Sequence, residues 1–386
     1  MQRPILIAEI GTSHGGDLTK ARELIAAASE AGADAAKFQL VFADEILHPK
    51  SGVVELPGGR IPLYDRFKAL EQPIEFYATL KEETESHGLT FVCSPFGIRS
   101  ARILREIGTR VFKIASPELN HYPLLEEVAS YGNSTILSTG VSTLGDIEMA
   151  VSVVSGRNPL YSDRGGASDG AQEKTQKKVL VFPALTLLHC ITSYPAPEEE
   201  YNLSLIPNLR GIFGVPVGVS DHSLDPVLVP VLAVLEKARI VEKHFTLDRK
   251  GEGLDDPIAL VPKEFAQMAL EVRSAFLELQ AGRRGHVVEA LEARYGKERV
   301  YNALGDGVKR LARSEEENYR TTNRSIHAMR ELKGGEILDE TNCALLRTEK
   351  TLRPGLPPEL WNIVLGKRLV RPVPDGEGIT WEDVLG

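Results

Sequence analysis

The chain has 386 residues, 42% of them hydrophobic, and a formal net charge of −9 at neutral pH. That length and apolar content support one large core and a small second one, and the acidic balance excludes a broad nucleic-acid footprint while leaving room for a lysine pair that holds a small anion. Cys93, Cys190 and Cys343 are far apart, which predicts free thiols, and the chain enters its first strand at once without a signal peptide or an apolar run of membrane-spanning length, which predicts a cytoplasmic protein.

Short apolar or β-branched runs recur through the first 245 residues, and each ends in a polar side chain. In chain order they are Ile5 to Ala8 ending at Glu9, Ala33 to Phe38 with Lys37 and Gln39, Leu89 to Cys93 ending at Ser94, and Arg110 to Ala115 with Lys113 and Ser116. Then follow Ser134 to Leu137 ending at Ser138 and Thr139, Leu185 to Leu188 ending at His189, Val215 to Val219 ending at Ser220, Asp221 and His222, and Arg239 to Phe245 carrying Glu242 and His244. Stretches of helical spacing lie between most of them, such as Leu24, Ile25, Ala28 and Ala31. Strand alternating with helix over this length predicts a closed α/β (β/α)8 TIM barrel, with its chemistry on the loops after the strands.

The polar stretch 156–178 precedes the sixth barrel strand, which predicts a surface insertion on the face away from the site. The barrel is expected to span 1–281. Residues 282–320 read as a linker that docks on the barrel, with a short helical stretch around Val288 to Tyr295 but little core of its own, and 321–386 as a small β-rich module with brief strands at Ser325 to Met329, Lys333 to Glu336, Ala344 to Arg347, Lys367 to Arg371 and Asp375 to Gly378.

His222 and His244 end adjacent strands, so they meet across the rim despite their sequence separation. With Glu9 nearby they make a candidate divalent-metal site with open positions. Asp221 and Glu242 are candidates to orient the imidazoles; His189 reads as structural. Lys37 and Lys113, with the hydroxyls of Ser94, Ser116, Thr192 and Ser220, suit a phosphate or carboxylate. Two alternatives stay open: the lysines pair with Glu9, Glu118 or Glu242 as structural salt bridges, or a buried lysine forms a Schiff base.

The strings IAEIGTSHGG at 7–16, KFQ at 37–39, CSPF at 93–96, KIASPE at 113–118, LSTG at 137–140, LHCITSYP at 188–195, VSDHS at 219–223 and EKHFTLDR at 242–249 together resemble the sialic acid synthase family. The tail resembles that family's antifreeze-like (SAF, β-clip) domain through NRSIHA at 323–328, LKGGEIL at 332–338, LRPG at 352–355 and LGKRLVRPV at 365–373. The resemblance implies condensation of phosphoenolpyruvate with an N-acetylated mannosamine-type sugar to a sialic, legionaminic or pseudaminic acid. It implies His222 and His244 as ligands of Mn²⁺, with Mg²⁺ or Co²⁺ as alternatives, and Glu9 beside the metal and its water.

The same resemblance places Lys37, Ser94, Lys113, Ser116, Thr192 and Ser220 on phosphoenolpyruvate, and Gln39, Glu118, Tyr194 and Asp255 on the sugar. Arg353 corresponds to an arginine that reaches a neighbouring subunit's site, which implies a domain-swapped homodimer. The chain departs from the family pattern at Ser94, usually Thr, at Thr192, usually Asn, and at GEGLDDP after His244, so spacing alone selects Asp255 over Asp256. Competing readings are another phosphoenolpyruvate-dependent 3-deoxy sugar acid synthase and a non-catalytic carbohydrate-binding or coat-assembly protein.

Overall fold

The computed structural model describes residues 2–56, 59–156, 180–251 and 253–385. All eight expected barrel strands form: β1 (Ile5–Gly11), β2 (Ala35–Leu40), then, after a hairpin of β3 (Val53–Leu56) and β4 (Gly59–Pro62), β5 (Thr90–Pro95), β6 (Val111–Ile114), β7 (Ser134–Ser138), β8 (Leu185–Cys190), β9 (Val217–Asp221) and β10 (Ile240–His244). They close in the order β1-β10-β9-β8-β7-β6-β5-β2, every pairing parallel. Parallel strands with helices outside are apolar on both faces. Leu6, Ala8, Phe38, Phe112 and Val219 face the helices, while Ile5, Ile7, Ala35, Val92, Val111, Ile136, Leu188 and Ile240 form a separate cluster that fills the barrel. Gly218 is needed where strands crowd, since a Cβ there would stand 2.3 Å from the carbonyl oxygen of Ile240.

The insertion expected at 156–178 lies outside the described residues except for Gly156. After the helix Pro262–Gln280, the expected linker does dock on the barrel, and it is more helical than the single stretch expected around Val288 to Tyr295. It carries helices Arg284–Tyr295 and Lys297–Leu304, and its Leu291, Val300, Ala303 and Ala312 are buried in the main barrel core. Its contribution was hard to foresee because the first of these helices buries only Leu291.

The C-terminal module holds one antiparallel ladder, β11 (Arg324–Ala328) with β12 (Cys343–Arg347), over its own core of Ile326, Leu332, Leu338, Leu345, Val364, Leu369, Val373 and Ile379. The other three expected strands do not form: Lys333–Glu336 is a turn, and around it and the two later stretches only single bridges remain, Leu332 with Val373, Ile337 with Arg368 and His327 with Gly378. Gly334 and Gly335 turn the chain, and Pro372 and Pro374 lack the N–H a longer ladder requires. No helix among the described residues is long and apolar enough to cross a membrane.

Candidate active site

Strand alternation writes the rim. Side chains two apart share a face, so the last barrel-filling apolar residue of a strand is followed two positions later by a rim residue. Ile7 precedes Glu9, Ala35 Lys37, Val92 Ser94, Val111 Lys113, Ile136 Ser138, Leu188 Cys190, and Ile240 Glu242. Parallel register then sets Glu9 beside both Lys37 and His244, and Ser220 beside Glu242.

These groups form one buried network. Lys37 Nζ lies 2.8 Å from Glu9 Oε1, which also accepts from Gln39 Nε2 at 2.7 Å. Glu242 Oε1 accepts from Lys113 Nζ at 3.1 Å and from Ser220 Oγ at 2.9 Å. The lysine–carboxylate pairing raised as an alternative is therefore present at Glu9 and Glu242. It leaves donors over, because each ammonium carries three hydrogens, and Glu9 Oε2 and Glu242 Oε2 are buried with no hydrogen-bond partner. Burial pushes the Glu242 carboxyl up, but Lys113 and Lys37 outweigh it and hold it down to about 2. For Lys113 burial prevails and lowers its pKa, whereas for Lys37 the Glu242 and Glu9 carboxylates overcome burial and raise it. Ser94 Oγ is 3.5 Å from Lys37 Nζ, Ser116 Oγ accepts the Gly140 N–H at 3.0 Å, and the Oγ atoms of Thr192 and Ser138 are buried without partners.

The two histidines do meet, with ring centroids 5.3 Å apart. His222 Nδ1 sits 2.7 Å from the Ile191 carbonyl oxygen, which selects the Nδ1–H tautomer and leaves Nε2 as the free lone pair. Tyr194 stacks on His222 at 4.3 Å and meets His244 edge-on at 5.9 Å. Burial, then the charges of His222 and Lys37, hold His244 well below the ordinary histidine value, so it is neutral. His244 Nδ1 is 3.6 Å from Asp255 Oδ2, and Asp255 itself is raised to about 6 by burial and by Glu9. Asp256 instead turns into its own loop and accepts the Gly253 N–H at 2.9 Å, so Asp255 is the aspartate at the mouth.

Two imidazoles at this separation fit one ion, since nitrogens converging at ~2.1 Å place ring centres about 5 Å apart. Among the described residues no group of three or more His, Cys, Asp or Glu forms a complete ligand set. The pair thus suits an ion that completes its shell with water or substrate.

Several expected residues lie elsewhere. Asp221 and Glu242 do not orient the histidines: Asp221 accepts from the buried Lys243 at 2.6 Å, Glu242 serves the lysines, and Ile191 and Asp255 take the imidazole positions. Glu118, expected on the sugar, is fully buried between the barrel and the C-terminal module. Its Oε1 accepts from Arg347 at 2.6 and 3.0 Å and its Oε2 from Arg324 Nε at 2.6 Å. Arg353 donates within its own module, to the Gly378 carbonyl at 2.7 Å and to Asp383 at 3.0 Å. His189 is structural as expected, bonded through Nε2 to the Tyr201 carbonyl. Glu315 was missed; it lay in an acidic run of the supposed linker, yet it is buried against the loops after β7 and β8.

Fold and rim together define a (β/α)8 barrel whose mouth carries two buried lysines and a histidine pair. The chain belongs to the NeuB family, whose model matches residues 24–284, and a SAF domain model matches 323–385. The members are nonulosonic acid synthases, and their general reaction condenses phosphoenolpyruvate with a sugar. The spore coat polysaccharide biosynthesis protein SpsE of Bacillus subtilis is 33% identical over 98% of this chain and 93% of its own length. Its crystal structure superposes with a TM-score of 0.80 over 100% of this chain and 96% of that one. The N,N'-diacetyllegionaminic acid synthase of Legionella pneumophila is 32% identical over 98% of this chain and 94% of its length.

Proposed function

We propose that the protein condenses phosphoenolpyruvate with the open-chain form of an N-acetylated mannosamine-type sugar, giving a nonulosonic acid and phosphate. The observation that carries this reading is the rim network: two buried lysines, spare carboxylate oxygens and two histidines converge at adjoining strand ends. Lys37 and Lys113, with Ser94, Ser116, Thr192 and Ser220, hold the phosphate and carboxylate of phosphoenolpyruvate. A divalent ion, Mn²⁺ in this reading, held by His222 and His244 supplies Lewis acidity toward the aldehyde oxygen. Glu9, fixed by Lys37 and Gln39, keeps one oxygen free to orient and deprotonate the water that attacks the former enol carbon. The lysines then stabilise the departing phosphate. Gln39, Tyr194 and Asp255 flank the sugar.

A homodimer belongs to the same reading. Arg353 is 39% exposed and faces a second copy, whose mouth it completes. In a swapped dimer, the Glu118 contacts with Arg324 and Arg347 form between chains instead of within one.

Phosphate release tests the reading, with phosphoenolpyruvate, Mn²⁺ and each candidate sugar in turn: N-acetylmannosamine, its 6-phosphate, and di-N-acetylated trideoxy hexoses. Release that depends on one sugar and stops with chelator is expected. No release with any of them would favour the binding-protein alternative.

A further inference from the structure

The segment that follows the barrel reaches back over the rim with a buried carboxylate that no step above employs. Glu315 is fully buried, and its Oε1 accepts the amide hydrogens of Val141 and of Thr192, each at 2.7 Å. Its Oε2 accepts the Ala312 N–H at 3.3 Å. One oxygen thus ties together the loops after β7 and β8, through charge-assisted bonds that are stronger than neutral ones.

The β7 loop needs such a tie. Val141 has φ of 41°, a left-handed conformation that β-branched residues avoid and that persists only where surroundings over-determine it. Its N–H goes to Glu315 and its carbonyl accepts from Asn323 at 3.2 Å, while Lys309 Nζ donates to the Thr139 carbonyl at 3.1 Å. Three side chains between 309 and 323 therefore hold Thr139 and Val141, the residues on either side of Gly140.

What they hold is a wall of the anion cradle. The Gly140 N–H donates to Ser116 Oγ, and a Cβ on Gly140 would lie 2.1 Å from Thr192 Oγ1, 2.9 Å from Ser116 Oγ and 3.1 Å from Glu315 Oε1. Ser116, Thr192 and Glu315 thus converge on one glycine, and only a residue without a side chain fits between them.

We infer that Glu315 is a positioning residue for the cradle: from outside the barrel it sets the spacing of Ser116, Gly140 and Thr192, and so governs affinity for the anionic substrate. The inference rests on the reading that this cradle holds phosphoenolpyruvate. Misplacement of a holding group by about 1 Å costs up to ~100-fold, so Glu315→Ala is expected to raise KM for phosphoenolpyruvate about tenfold or more, with a much smaller effect on kcat. Glu315→Gln keeps an oxygen that accepts both amides and is expected to restore KM to within about threefold, whereas a merely structural role would lower Tm in the Ala variant and leave KM unchanged. An unchanged KM in a folded Ala variant, or no recovery in the Gln variant, overturns the inference. Should the Ala variant not fold, Glu315→Asp, one methylene short of the two amides, decides: a raised KM supports the inference and a wild-type KM overturns it. Wild-type protein that consumes no phosphoenolpyruvate sinks the functional reading itself, and is recognised before any variant is compared.

Discussion

Two buried charge clusters stand near the same end of the barrel and are completed differently. At the junction with the C-terminal module, both oxygens of Glu118 are taken by Arg324 and Arg347, and Arg324 also donates to the carbonyls of Glu45, Phe96 and Leu345. At the rim, Glu9 and Glu242 each keep one buried oxygen unpartnered, and the hydroxyls of Thr192 and Ser138 add two more unsatisfied groups. Buried polar groups are nearly always paired, and exceptions call for a reason. At the joint both carboxylate oxygens are taken by guanidinium groups, whereas at the rim carboxylate oxygens are left over, the shape of a place where something arrives.

The sharpest break of this contrast comes from the rim. His222→Ala or His244→Ala is expected to lower phosphate release by orders of magnitude while circular dichroism and melting stay close to wild type. Near-normal turnover by the metal-stripped variants would remove the histidine pair from the chemistry. At the joint the reverse pattern is expected: Glu118→Ala strands two buried guanidinium groups and costs ~3–5 kcal/mol of stability, visible as early proteolysis of the C-terminal module. If that variant instead keeps its stability and raises only the sugar KM, Glu118 belongs to the mouth after all.

Acid gives a gentler probe of the same joint. Arg324 and Arg347 overcome burial and hold the Glu118 carboxyl well below its ordinary value of 4.5. A depressed folded pKa means the stabilisation is fully present above about pH 4.5 and is lost as pH falls through the folded value. Melting scans from pH 7 to pH 3 should show that loss, and the slope should flatten in Glu118→Gln. The smallest stability effect is expected for Arg353→Ala, ~1 kcal/mol or less, because its pair with Asp383 is partly exposed. A dimer that shares sites would nevertheless lose activity in that variant and regain part of it on mixing with His222→Ala.

The barrel was legible because its strands repeat one grammar, an apolar residue filling the barrel and a polar one two positions on, so Glu9, Lys37, Ser94, Lys113 and Glu242 could be read from local alternation alone. Their partners could not. The arginines that neutralise Glu118 are 206 and 229 residues away, and nothing near Glu118 in sequence reports them. Glu315 was hidden for the same reason: among Glu315, Glu316 and Glu317 only burial distinguishes the first. The C-terminal module misled because glycine- and proline-interrupted pairs make single bridges, which look like short strands in a propensity pattern.

The barrel closes by laying β1 against β10, which sets Glu9 directly beside His244. The first polar rim residue to leave the ribosome therefore waits for the eighth barrel strand before its second strand neighbour is in place. No half of the barrel contains a working fraction of the site, and contacts of such long sequence separation form late and slowly. During synthesis, Glu9 and Lys37 are an unfinished pair of charges until β10 closes the barrel beside them.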